Sequence, residues 1–136
     1  MNINMNIIQL VKSLNLEKGE YTVFGSALLQ IYQLRDSNDI DISVTKELYD
    51  KLKKSDTWKE KNHINGDVSL HNNIFEIFKS WNFEKYNPDI KYLIKNSIYI
   101  EGIPFVNIEE VLKWKKIRNL EKDRKDIKLI ESYLNK

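Results

Sequence analysis

The run Asp39-Ile40-Asp41-Ile42-Ser43-Val44 constrains this chain more than any other stretch. Apolar and polar residues alternate strictly. A period of two fits an extended strand, whose successive side chains point to opposite faces. The run predicts a strand over 39–44 with Ile40, Ile42 and Val44 on one face and Asp39, Asp41 and Ser43 on the other. Adjacent carboxylates repel, and burying them without a counter-charge is costly. A divalent cation resolves the conflict; Mg²⁺ accepts such hard oxygens and keeps positions open for water and phosphate. Taken alone, Asp-x-Asp equally describes a solvent-facing edge strand with two harmless acids.

A second feature lies upstream. Tyr21-Thr22-Val23-Phe24 is β-branched and aromatic, which reads as a short buried strand. Gly25-Ser26 follows directly, and residues 27–33 have helical apolar spacing. The first N–H groups of a helix are unsatisfied and electropositive, so a strand–Gly-Ser–helix turn can cradle phosphate. Gly25 allows close backbone approach and Ser26 adds a hydroxyl. The alternative is an ordinary turn with Ser26 as N-cap.

Ile7, Leu10, Val11 and Leu14 predict a helix over 4–15, broken by Lys18-Gly19. Helices are also expected over 46–54, 88–95 (with Pro88 in the first turn), 108–118 behind an Asn107 N-cap, and 122–134. Further strands are expected over 67–71, 74–78 and 97–101, the last ended by Gly102 and Pro104. Strands in the middle and helices at both ends give an α+β (α/β-like) class. At 136 residues without repeats or linkers, a single domain over 1–136 is expected.

Composition removes several chemistries. There are no cysteines, so disulfides, zinc thiolates and cysteine nucleophiles are excluded. Two histidines, His63 and His71, are too few for a multi-histidine metal site and read as ordinary core or surface residues. No apolar run approaches the roughly 18–20 residues that span a bilayer, so no membrane partner and a cytoplasmic location are expected. Lys and Arg total 22 against 20 acids, too close to balance to imply a nucleic-acid partner. The basic residues do cluster between Lys113 and Lys125.

Gly25-Ser26, twelve intervening residues and Asp39-Ile40-Asp41, with Arg35 leading in, resemble the Gly-Ser…Asp-x-Asp signature of the polymerase-beta-like nucleotidyltransferase superfamily. The minimal, single-domain and toxin-like members are the most similar. The closing segment, a Lys-rich helix and then Lys122-Asp123-Arg124-Lys125-Asp126, resembles theirs as well, so the resemblance covers nearly the whole chain. It is least distinctive over 50–72.

The resemblance implies a nucleotidyltransferase fold: a small mixed central sheet flanked by helices, with a C-terminal helical pair. It implies transfer of an NMP from an NTP to an acceptor hydroxyl on tRNA, protein or a small molecule, with release of pyrophosphate. Two Mg²⁺ ions, or Mn²⁺, would be the cofactors. Asp39 and Asp41 would hold them, joined by a third carboxylate from a later strand. Glu76, alone among the apolar residues of 74–78, is the first candidate, and Asp67 competes; family members often carry Asp here. Gly25 and Ser26 would hold the β- and γ-phosphates, and Arg35 or Lys115 would offset charge.

Lys115 shares the inward stripe of Ile108, Val111 and Leu112, so it either reaches the triphosphate or pairs with Asp123 or Asp126. Trp58, Trp81, Trp114, Tyr92 and Tyr99 read as core aromatics that could otherwise stack on a base. Size and resemblance also fit a toxin or defence component with an antitoxin partner. A catalytically inactive nucleotide- or partner-binding module of the same fold is the alternative.

Overall fold

The computed structural model describes residues 3–82 and 85–136. The strands are β1 (Tyr21–Phe24), β2 (Ile40–Val44), β3 (Lys59–Asn62), β4 (Val68–Asn72), β5 (Phe75–Phe78), β6 (Ile98–Ile100) and β7 (Ile103–Phe105). The helices are α1 (Ile3–Ser13), α2 (Ala27–Ile31), α3 (Lys46–Lys53), α4 (Ile90–Lys95), α5 (Ile108–Arg118) and α6 (Glu121–Leu134). All seven strands join one mixed sheet in the order β3-β4-β5-β2-β1-β7-β6. The class is α+β, as the order of elements predicts, and α5 and α6 pack on one another as a C-terminal pair.

The sheet is larger than expected because two strands carry no sequence signal of their own. β3 reads Lys-Glu-Lys-Asn and is exposed throughout. It is an edge strand held by its backbone ladder to β4, and its charges discourage pairing with another chain. β7 contains Pro104, which lacks a ladder N–H and reads as a strand terminator. Its pairing to β1 falls at Val23–Phe105, past the proline, and Glu101 and Gly102, both at positive φ, form the tight turn from β6. Pro88 also departs from expectation: it precedes the helix, and Asp89 caps α4 by accepting from the Lys91 N–H.

At the centre, β2 is covered on both faces: Ser43 on the polar face is fully buried alongside the apolar residues. Ile40, Ile42 and Val44 are at most 3% exposed, and each such burial stabilises the fold by about 1.5–3 kcal/mol. β1 runs antiparallel to β2, and β5 runs parallel to it. This places Phe24 and Glu76 on either side of Asp41, as register partners. On that face Phe24 stacks on Trp81 at 4.5 Å and meets Trp114 of α5 edge-on at 5.3 Å. Trp81 and Trp114 are therefore core aromatics, at 7% and 5% exposure. No helix among the described residues is long and apolar enough to cross a membrane.

Candidate functional site

Gly25 carries the chain off β1 at φ +89°, a conformation that favours glycine. A Cβ added there would lie 3.5 Å from Asp41 Oδ2, so the turn backbone sits directly against that carboxylate. Ser26 is helical in backbone and makes no side-chain cap. Its Oγ instead accepts a hydrogen bond from Arg35 Nη2 at 2.7 Å. α2 ends sooner than predicted: Gln33 adopts φ +60°, and Leu34 N–H bonds back to the Leu29 carbonyl at 2.8 Å. This closing motif normally carries glycine, so no local pattern marks the stop there. The reversal sends Arg35 back toward Ser26. With five residues, α2 has little dipole, so anion affinity here rests on the Gly25 turn and nearby cations.

Asp39 stands exposed just before β2, and Asp41 is half-buried within it. Burial pushes the Asp41 carboxyl up to about 7, reinforced by Asp39 and Glu76 and opposed by Arg118 and Lys115. Among the described residues neither aspartate has an ion-pair partner. Glu76 Oε2 accepts from Ser69 Oγ at 2.5 Å and lies 3.0 Å from His63 Nε2.

Asp41 sits beside Asp39 and Glu76 with its carboxyl raised to about 7, and a hard divalent cation would relieve that crowding. No three acidic or histidine side chains among the described residues form a metal cage by themselves.

The cationic side is built from α5 and α6. Lys115 is 1% exposed and ion-paired: Nζ lies 2.9 Å from Asp126 and 3.7 Å from Asp123, at the wall of the larger of two cavities beside the aspartates. Burial lowers its pKa, and the two acids offset part of that. Arg35 grips the same Asp126 through Nε at 2.5 Å and Nη2 at 2.8 Å. Burial alone would raise Asp126, but the bonds from Arg35 and Lys115 win and its pKa lies below the usual carboxylate value. Asp123 behaves likewise: burial is outweighed by Arg118, bonded at 2.8 and 2.6 Å, and by the Leu120 N–H. So a Lys115–Asp126–Arg35–Ser26 chain, buried at its lysine end and partly open at Arg35, ties the last two helices to the glycine turn.

Asp39 and Asp41 stand between two cavities. The larger, about 940 Å³, is lined by Ser26, Arg35, Arg118, Lys122 and Lys125 among others. The smaller, about 370 Å³, is lined by Glu76, His63, Asn65, Asp67, Phe78, Trp81, Asn82 and Trp114. Asp67, the competing third carboxylate, is buried and occupied: it accepts from Ser80 Oγ and from the side chain and backbone N–H of Asn82. Glu76, in register with Asp41, is the better placed of the two. Trp58 packs against Phe75, and Tyr92 and Tyr99 are half-exposed outside both cavities.

Sequence reasoning missed His63, Ser69 and Arg118. None had a local signal: the hairpin register of β4 against β5 delivers Ser69 and His63 to Glu76, and the α5–α6 turn delivers Arg118 to the cleft. Comparison with protein-family models, curated proteins and solved structures found no match.

Proposed function

We propose that this protein is a metal-dependent nucleotidyltransferase of minimal size, moving an NMP from an NTP to an acceptor hydroxyl. The observation that carries this reading is the register of Asp41 with Glu76 on parallel strands, directly beneath the Gly25 turn. Two further features support it. The cation-lined cavity lies on the Ser26 side of the aspartates, where a triphosphate would be neutralised. The cavity on the Glu76 side, where an acceptor would enter, adds aromatic and amide groups to the Arg118 and Lys122 that it shares with the first.

In the reaction, the acceptor hydroxyl loses its proton to solvent, and its oxygen forms a bond to the α-phosphorus as the bond to the bridging oxygen breaks and pyrophosphate leaves. Divalent cations, when bound, lower the acceptor's pKa and stabilise the leaving oxygens. The chain's own contribution is positional. Asp39, Asp41 and Glu76 supply the anionic oxygens, and Gly25 gives phosphate close access to backbone. Arg35, fixed by Asp126 and indirectly by Lys115, orients the Ser26 hydroxyl. Arg118, Lys122 and Lys125 offset phosphate charge.

The test is incubation with each labelled NTP, Mg²⁺ or Mn²⁺, and total tRNA or lysate. Label transfer that disappears in Asp39→Ala/Asp41→Ala is expected, and the labelled species identifies the acceptor and the base preference. The inactive binding module is the second reading, favoured by the bonding of Glu76 to Ser69 and His63. It predicts metal-independent nucleotide binding without transfer to any acceptor.

A further inference from the structure

Glu76 reaches one methylene further than an aspartate and has one more rotatable bond, so without an anchor it would fix a cation poorly. The β3–β4 hairpin supplies an anchor from outside the strand. His63 begins the turn between the two strands, its N–H bonded to the Asp67 carbonyl at 2.9 Å and its ring 5.5 Å from that of Phe78. Its Nε2 lies 3.0 Å from Glu76 Oε2 and 2.8 Å from Ser69 Oγ, while Ser69, fully buried on β4, donates to the same Oε2 at 2.5 Å. Oε2 is thus held from two directions, and among the described residues Oε1 takes no hydrogen bond.

We propose that His63, together with Ser69, is a positioning residue for Glu76: the pair fixes Oε2 and leaves Oε1 as the oxygen available to a divalent cation shared with Asp41. This rests on the reading of Asp39, Asp41 and Glu76 as a cation site. Partners of a ligating carboxylate of this kind set metal affinity strongly, with removal weakening it about 10–100-fold. The anchor also explains how a Glu can serve where a shorter acid would be simpler to hold. Ser69 and His63 come from the opposite end of the hairpin from the Asn73 turn, so their meeting at Glu76 depends on the strand register rather than on chain proximity.

The experiment is Mn²⁺ titration of the nucleotide-free protein, followed by electron paramagnetic resonance and calorimetry. Wild type is compared with His63→Ala, His63→Gln, Ser69→Ala and Asp41→Asn, and each is also melted in EDTA. His63→Ala and Ser69→Ala are expected to weaken Mn²⁺ binding about 10-fold or more without lowering the EDTA melting temperature to match. His63→Gln, whose Nε2 can occupy the place of the imidazole Nε2, is expected to recover most of the affinity. Wild-type Mn²⁺ affinity in both His63→Ala and Ser69→Ala, with binding lost in Asp41→Asn, would overturn the positioning role while leaving the cation site standing. Absence of Mn²⁺ binding in wild type, or its survival in Asp41→Asn, would overturn the cation site and the positioning role with it.

Discussion

Asp41→Asn should stabilise the metal-free protein, and by more at pH 8 than at pH 5. Asn keeps the shape of the side chain and removes its charge. The folded-state value of Asp41 is raised from 3.8 to about 7. A raised carboxyl value favours the neutral form, so its contribution to stability is fully present below about 4. It is lost as pH rises through about 7, and wild type bears the whole penalty at pH 8. At 1.36 kcal/mol per pH unit, a rise from 3.8 to about 7 is worth about 4 kcal/mol. Between pH 5 and pH 8 the share is about 2–3 kcal/mol, since the unfolded carboxyl is already ionised at pH 5 while the folded one is not.

For 136 residues, an unfolding entropy of about 2.1 cal/mol/K per residue converts each kcal/mol into about 3.5 °C. Thermal unfolding in EDTA should therefore show a Tm advantage for Asp41→Asn about 7–10 °C larger at pH 8 than at pH 5. Millimolar Mn²⁺ should narrow that advantage at pH 8, because only wild type gains a counter-charge. An advantage independent of pH, or none at pH 8, would refute the claim that desolvation and the neighbouring Asp39 and Glu76 raise the Asp41 carboxyl.

Two other outcomes follow from the same geometry. Asp126→Asn leaves Lys115 buried with Asp123 at 3.7 Å, and should cost about 3–5 kcal/mol. Adding Lys115→Met should recover part of that loss, with a coupling of about 1–3 kcal/mol in a denaturant double-mutant cycle; strict additivity would contradict the buried pair. Gly25→Ala should cost about 1–2 kcal/mol, because φ +89° strains any side chain even though the new Cβ finds ordinary contact with Asp41. Chemical denaturation would show no change if the turn could relax.

What the sequence determined by itself is local. The alternation of Asp39 to Val44 specified β2, its buried face and the pairing of two acids. Tyr21 to Phe24 and Gly25 specified a strand and a tight turn, and Asn107 specified the start of α5. Each signal resides in a side-chain pattern or a backbone preference within a few residues.

The tertiary structure decided everything that depends on long-range register. It set Glu76 beside Asp41 and committed Asp67 to Asn82 and Ser80. It buried Lys115 against Asp126, where the sequence had left two partners open. It brought Ser69 to Glu76 through the pairing of β4 with β5, and His63 through the turn that follows β3, a strand of exposed charged residues that no local pattern marks. Backbone ladders are indifferent to side-chain type, and ion pairs form between residues far apart in sequence, such as Arg35 and Asp126. The carboxylate pair was therefore legible in the chain, but its surroundings, which determine whether those carboxylates are charged, held or free, exist only in the folded sheet.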